Sequence, residues 1–251
     1  MEILATRREN TGERETLAPH VLRGYLAAEP LVPLDGPVKA LAAETTRGKK
    51  GDAHRAIYEK VTGMMTYDKS GEGWGRGDAV WACNARRGNC TDFHALIVGM
   101  ARSQGIPARF AMGVPLPEQR GEGEVPGYHC WAELYVGGLW VPVDSSEGAR
   151  GLAAGNVARK EYFYGHHDEN RLEFSRGRHI TLNPPQKSGP QARHRMGSPR
   201  STAFGASRES RGARSCGTAT RRSSFTATSR SRTIRSGVRW PCGSAWTGRA
   251  P

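Results

Sequence analysis

Long apolar runs are missing from this 251-residue sequence. The longest, about residues 95–101, is broken by Gly99 and falls far short of the roughly 18 residues that a membrane-spanning helix needs, which excludes such a helix. Residues 1–19 are polar and charged with no central apolar region, so no secretory signal is visible. Location therefore stays open: cytoplasmic for the chain as written, exported if a longer N-terminus precedes it. Internal repeats are absent. Cysteine is scarce, and of the five only Cys83, Cys90 and Cys130 fall before residue 186, at spacings that suggest no disulfide framework. A disulfide-stapled fold is excluded and reduced thiols are left available.

Negative charge is lacking too, but only in one place. The chain has 37 Lys and Arg against 24 Asp and Glu, a net charge of +13 and a pI near 10.0, which would ordinarily suggest nucleic acid or an anionic surface. Residues 186–251 account for all of the excess, with 14 basic residues against Glu209 alone; residues 1–185 hold 23 basic and 23 acidic side chains. The same tail holds 12 of the 17 serines and no apolar periodicity, so it is expected to be disordered or poorly packed, and it reads like a shifted frame of a GC-rich gene. Three regions follow: an N-terminal extension (1–35), a core large enough to bury one hydrophobic interior (36–185) and the tail (186–251). The tail has neither interleaved aromatics nor a recognition fold, so no specific nucleic-acid partner is expected; weak polyanion binding is a non-enzymatic alternative.

Within the core, Thr91 to Gln104 carries apolar residues at Phe93, Leu96, Ile97, Met100 and Ala101, the spacing of a helix with one buried face. Asn89 is a good N-cap, Asp92 completes a near capping box, and Gly105 with Pro107 closes the other end. Cys90 therefore sits on the first turn. There the unpaired N–H groups and the positive end of the macrodipole favour a thiolate and can donate to a developing oxyanion. Ahead of it, His54 to Met65 predicts another helix, and the Gly-rich Ser70 to Asp78 a loop.

Tyr128 to Val136 and Leu139 to Ser145 are rich in aromatic and branched residues and are separated by Gly137-Gly138, a hairpin turn signal. Pairing Val136 with Leu139 sets Leu134 opposite Val141, Ala132 opposite Val143 and Trp131 opposite Asp144. His129 then shares a face with Asp144 as its diagonal neighbour, close enough for the side chains to meet. An Asp that accepts from one imidazole nitrogen fixes the tautomer and leaves the other nitrogen to take a thiol proton. Pro142 cannot donate to a ladder, so this strand should be an edge there or be bulged. Cys130 alternates to the opposite face and is expected in the core. Beyond Asp144, residues 145–158 read as loop, with short strands at Glu161–Tyr164, Leu172–Phe174 and His179–Leu182.

Gly88-Asn89-Cys90-Thr91-Asp92-Phe93-His94, Gly105-Ile106-Pro107-Ala108-Arg109, Gly127-Tyr128-His129-Cys130-Trp131-Ala132-Glu133 and Trp140-Val141-Pro142-Val143-Asp144 together resemble the bacterial transglutaminase-like superfamily. The resemblance covers about residues 20–185, including Tyr67 to Asp78 and Asp168-Glu169-Asn170-Arg171. It implies an α+β, papain-like core and a Cys-His-Asp triad of Cys90, His129 and Asp144. It also implies a thioester acyl-enzyme resolved by an amine or by water, with a protein or peptide amide as substrate. The family often supplies an upstream aromatic or amide side chain to the oxyanion, here Trp74, Trp81 or Asn84. Trp131, on the His129 face, could line the substrate cleft, although it and Trp140 read first as sheet packing.

Blander readings stand beside this one. His94, one turn after Cys90, reads as a packed structural histidine. A metal module built from Cys90, His94, His129 and Cys130 lacks the paired ligand spacings that zinc sites use. No cofactor motif is present: Gly73-Trp74-Gly75-Arg76-Gly77 is followed by no evident helix of the kind a phosphate cradle needs. An inactive protein with an intact fold finds no support, since all three triad positions hold competent residues.

Overall fold

The structure is a computed structural model that describes residues 7–49, 51–119, 123–125, 127–178 and 180. Its elements, in chain order, are β1 (Glu13–Arg14), α1 (Pro19–Gly24), α2 (Gly36–Thr46), α3 (Ala53–Met64), β2 (Thr66–Tyr67), α4 (Ala79–Ala85), β3 (Arg87–Gly88), α5 (Cys90–Ser103), β4 (Ala108–Pro115), β5 (His129–Val136), β6 (Leu139–Val143), α6 (Ser145–Ala153), α7 (Val157–Tyr162) and β7 (Arg171–Arg176). Five strands form an antiparallel sheet in the order β1-β6-β5-β4-β7, and β2 pairs with β3 in a small parallel ribbon. The tail over 186–251 lies outside the described residues, as does the strand expected over 179–182 apart from Ile180.

The helix predicted over Thr91–Gln104 is α5, with Asn89 as N-cap and Asp92 completing the capping box. It differs from the expectation in one respect: every residue from Cys90 to Arg102 is buried, on all sides of the helix. α2, α3 and α4 pack on one flank and the sheet on the other. Gly99 makes the close approach possible, since a Cβ there would lie 3.0 Å from Val38 and 3.1 Å from Val32. Phe93, Leu96, Ile97 and Met100 are fully buried, each contributing about 1.5–3 kcal/mol relative to exposure. The buried Arg102 of α5 donates to the carbonyls of Ala108 and Ala27 and to Glu29 at 2.7–3.1 Å.

The β5–β6 register is the one counted from the Gly-Gly turn, from Val136 opposite Leu139 to Ala132 opposite Val143. Gly137 and Gly138 both take positive φ, 58° and 81°, as a type I′ turn requires. The ladder ends at Val143, so Asp144 is not a strand residue facing Trp131; it caps the next helix. Pro142 is accommodated without a bulge. Its carbonyl accepts from the Gly165 N–H at 2.8 Å, on the side where the two-residue β1 has already ended, so its missing N–H removes nothing from the β5 ladder.

Residues 145–158 are not loop. Asp144 caps α6 by accepting from the Glu147 N–H at 3.0 Å, and Asn156 caps α7 in the same way at 2.9 Å. Two glycines of α6 serve close packing: a side chain at Gly148 would collide with the Tyr58 hydroxyl, and one at Gly151 would crowd Arg159. Glu161–Tyr164, expected as a strand, is the end of α7 and its cap; only an isolated bridge joins Tyr164 to Val143. Leu172–Phe174 lies in β7 as expected. A helix does follow the Gly-rich loop, contrary to expectation. Its N-terminus is filled by its own Asp78, which accepts from Val80 and Trp81 at 2.9 and 3.0 Å, so it forms no phosphate cradle.

Within residues 7–15, Glu13–Arg14 pair with β6 as the sheet's edge strand, while Asn10 and Glu15 reach Glu133 and Trp140 on the face that also carries Arg109. Asn10 and His167 exchange backbone hydrogen bonds at 3.0 and 2.8 Å, and Glu15 accepts from the Trp140 indole at 2.6 Å. Arg109, buried against Trp140 with its guanidinium 4.0 Å from the ring centroid, pairs with Glu133 at 2.5 Å.

Candidate active site

A side-chain bond ties the first turn of α5 to the start of β5, and Asp92 ties the Gly-rich loop to that same turn. Asn89 accepts from the Thr91 N–H at 3.0 Å and donates through Nδ2 to the Tyr128 hydroxyl at 2.8 Å, so the helix cap is bonded to the residue preceding His129. Asp92, fully buried, accepts from Asn89 N at 3.0 Å, Gly75 N at 2.6 Å and Gly77 N at 3.0 Å. The Gly-rich loop is thereby fastened to the Cys90 turn. Gly88 must be glycine: its φ is 147° and a side chain would collide with the Asp92 carboxylate.

Cys90 is the first residue of α5 and 3 % exposed. His129 opens β5, and its Nε2 lies 2.7 Å from Asp144 Oδ2. Because the carboxylate accepts there, Nε2 carries the hydrogen and Nδ1 is left for the thiol. The Cys90 thiol is drawn well below its ordinary value by hydrogen bonding from Cys130, with burial opposing and the hydrogen bond and charge of His129 adding to the fall. Burial pushes His129 down, but the Asp144 carboxylate and the Cys90 sulfur overcome it and raise the imidazole to about 10. Burial likewise opposes ionisation of Asp144, and the His129 and Arg171 charges outweigh it, holding the carboxyl well below the usual range. The three shifts run in the direction that favours a thiolate, an imidazolium and a carboxylate in one another's presence.

His94 is fully buried, with Nδ1 2.7 Å from the Cys90 carbonyl and Nε2 3.5 Å from Asp144 Oδ1; burial lowers its pKa, so it stays neutral and braces the turn. Cys130 is in the core as expected, yet its core neighbours are Cys90 and Phe110, and burial together with the Cys90 sulfur pushes its thiol well up. It is therefore the S–H donor of the pair. Trp131 is 3 % exposed, its ring centroid 6.1 Å from that of His129 and 5.5 Å from that of His167, which puts it behind the imidazole rather than on an open wall. Of the oxyanion candidates, Asn84 is exposed on α4, and Trp81 lies under the Arg87 guanidinium at 5.7 Å and against Gly73. Trp74 is half-buried in the loop that Gly75 and Gly77 tie to Asp92. Tyr67, with Arg150 3.9 Å from its ring centroid, packs against the Cys90 cluster and borders a groove of about 610 Å³ running along α6.

Asp144 has partners that sequence reasoning did not find. Ser146 Oγ donates to Oδ1 at 2.7 Å, and Arg171 Nη1 donates to Oδ2 at 2.6 Å while its Nε and Nη2 hold Asp168 Oδ2 at 3.1 and 3.0 Å. The spacing of Asp168 and Arg171 was visible, but nothing in it pointed back to Asp144. Among the described residues no group of three or more His, Cys, Asp or Glu stands where it could hold a metal ion.

Residues 39–145, from α2 to the first residue of α6 and so including Cys90, His129 and Asp144, match the family model of the transglutaminase-like superfamily. Over those residues the chain is similar to the transglutaminase-like superfamily. An uncharacterized protein of Haemophilus influenzae is 31 % identical over 199 residues, covering 66 % of this chain and 53 % of that protein. The chain thus spans about half the length of the curated relative it matches. Among solved structures, the periplasmic domain of TgpA from Pseudomonas aeruginosa is 20 % identical over 58 % of this chain and 53 % of that one, with a TM-score of 0.44. A candidate cysteine protease from Cytophaga hutchinsonii is 21 % identical over 63 % and 56 %, with a TM-score of 0.42. The α+β class expected from the resemblance is the class observed, helices on an antiparallel sheet.

Proposed function

We propose that the protein is a cysteine-dependent acyl transferase or amide hydrolase acting through a thioester on Cys90. The observation that carries the reading is the His129–Asp144 couple, closed at 2.7 Å beside a thiol lowered by its surroundings at the first residue of a helix. In this scheme the Cys90 thiolate attacks the carbonyl carbon of a protein or peptide amide. The negative charge passes to the carbonyl oxygen, which in this scheme accepts from the Cys90 backbone N–H and from a donor on the 70–78 loop that Asp92 ties to the same turn, Trp74 being the candidate there. The His129 imidazolium gives its proton to the departing amine as the carbon–nitrogen bond breaks, leaving Cys90 acylated and His129 neutral. Neutral His129 then takes a proton from water or from a second amine as that nucleophile attacks the thioester, and Cys90 leaves as the thiolate.

Transferase and hydrolase share every step but the last nucleophile. The test is to incubate the protein with a panel of glutamine-containing and other amide peptides and follow its mass. A covalent adduct on Cys90 that water discharges marks a hydrolase, and one that only an added amine discharges marks a transferase. A panel that leaves Cys90 unmodified while iodoacetamide still labels it would remove the acyl-enzyme reading.

A further inference from the structure

The buried Arg171 guanidinium has no part in the scheme above, although it touches the orienting carboxylate. Asp144 is fully buried, and each of its oxygens takes two donors. Oδ1 accepts from Ser146 Oγ at 2.7 Å and Glu147 N at 3.0 Å. Oδ2 accepts from His129 Nε2 at 2.7 Å and Arg171 Nη1 at 2.6 Å. We propose that Arg171 is a positioning residue for the His129–Asp144 couple, holding the carboxylate ionised and aimed whether His129 is charged or neutral, and that Asp168 moderates its strength. The inference rests on the reading of Cys90 and His129 as nucleophile and base.

The physical need arises within the turnover itself. While His129 is an imidazolium, its charge balances Asp144. When His129 hands its proton to the leaving amine, Asp144 is left as a buried anion, and a buried carboxylate without a countercharge takes up a proton. A protonated Asp144 would no longer orient the imidazole for the second step. Arg171 supplies a charge that does not come and go with pH. Its side chain is 7 % exposed and lies between the Trp131 and Phe163 rings at 5.5 and 5.1 Å. The backbone of Arg171 pairs with Pro115 of β4, which fixes the base of the side chain. Asp168, with 31 % of its side chain exposed, accepts from the guanidinium's other two nitrogens and so keeps Arg171 from drawing Oδ2 away from His129.

The groups facing Asp144 are Tyr58 from α3, His94 from α5, His129 and Cys130 from β5, and His167 and Arg171 from the chain entering β7. Arg171 is faced in addition by Asp168 and by Tyr162 of α7. Burial keeps His94 and His167 low and Tyr58 and Cys130 high, so these four stay neutral, and His129 and Arg171 are the cations at Asp144.

Removing a cation raises the pKa of every neighbour, and removing an anion lowers it. The experiment follows iodoacetamide labelling of Cys90 by mass spectrometry, and the His129 imidazole by NMR, across pH in the full chain. Arg171→Gln is expected to move both midpoints upward, His129 by about one pH unit and Cys90, which is farther away, by less. Arg171→Lys keeps the charge and stays near the wild type. Asp168→Asn moves both midpoints downward. A residue needed only for packing would change melting temperature without shifts of opposite sign. Unmoved midpoints in Arg171→Gln, or shifts of the same sign in Arg171→Gln and Asp168→Asn, would overturn the proposal. Should Arg171→Gln fail to fold, Asp168→Asn alone decides, and an unmoved His129 midpoint in it overturns the proposal. Failure of the underlying reading looks different: wild-type Cys90 is then not labelled ahead of the other thiols, while the His129 titration still reports on Arg171.

Discussion

At the scale of single residues, the site is three titratable groups that shift one another. Cys90→Ala is expected to abolish adduct formation, and His129→Ala to be nearly as severe, with Asp144→Asn milder; each loses on the order of 10³-fold or more in rate, measured as single-turnover acylation. Labelling by limited iodoacetamide should reach Cys90 before Cys83 and Cys130 at neutral pH, because burial raises both of the others while the surroundings of Cys90 lower it. Stability follows the same couple. His129 rises to about 10 from 6.5, so its contribution is fully present below pH 6.5 and is lost as pH climbs through about 10. Asp144 is depressed, so its contribution is present above the ordinary carboxylate range and is lost as pH falls through its lowered value. Melting temperature against pH should therefore show a plateau with two falling limbs. Asp144→Asn should flatten the alkaline limb and lower the plateau, since breaking a buried charged pair costs about 3–5 kcal/mol. An unchanged alkaline limb in that variant would separate His129 from Asp144.

At the scale of elements, what the sequence disclosed depended on how locally each element is specified. α5 was legible because its cap, apolar spacing and terminating glycine all lie within 18 residues of one another; its burial on every side was not, because that depends on α2, α3 and α4 arriving from elsewhere. The hairpin register was legible because Gly137-Gly138 admits one turn type, and that register brings His129 and Asp144 to the same end of the β5–β6 pair. α6 and α7, expected as loop and strand, were missed because what holds them is distant in sequence: Gly148 and Gly151 are there for close contacts with Tyr58 and Arg159. Arg171 was missed as a partner because contact between residues 27 apart leaves no local pattern. Asp92 is the element-scale joint, gathering three N–H groups from the loop and the helix cap. Asp92→Ala leaves those donors without their acceptor and should destabilise the fold by about 1–3 kcal/mol in denaturant titration. It should also slow Cys90 labelling, as the 70–78 loop comes away from the helix turn. A loss of stability with labelling unchanged would show that the loop does not shape the thiol's surroundings.

At the scale of the whole molecule, charge is separated from chemistry along the chain. Residues 1–185 carry 23 basic and 23 acidic side chains, and the ionic contacts around the site are closed among themselves, from His129 through Asp144 and Arg171 to Asp168. The N-terminal stretch belongs with that neutral part: Glu15 holds the Trp140 indole and Asn10 the backbone of His167, on the face of the sheet opposite α5. Glu15→Ala should therefore destabilise the fold by about 1–3 kcal/mol without moving the pH dependence of Cys90 labelling. Residues 186–251 hold 14 basic residues against one acidic residue, and no residue of the proposed triad lies there. Electrostatic attraction to a polyanion scales with the phosphates neutralised and falls steeply with salt, whatever the nucleotide sequence. The full chain should therefore be retained on heparin or DNA at low ionic strength and released by salt. A chain ending at residue 185 should pass through unretained, with Cys90 labelling undiminished. Equal retention of the shortened chain would place a basic face on the core, and the reading of this protein as an acyl-transfer enzyme with an incidental basic tail would have to give way to one in which binding a polyanion is part of what the core does.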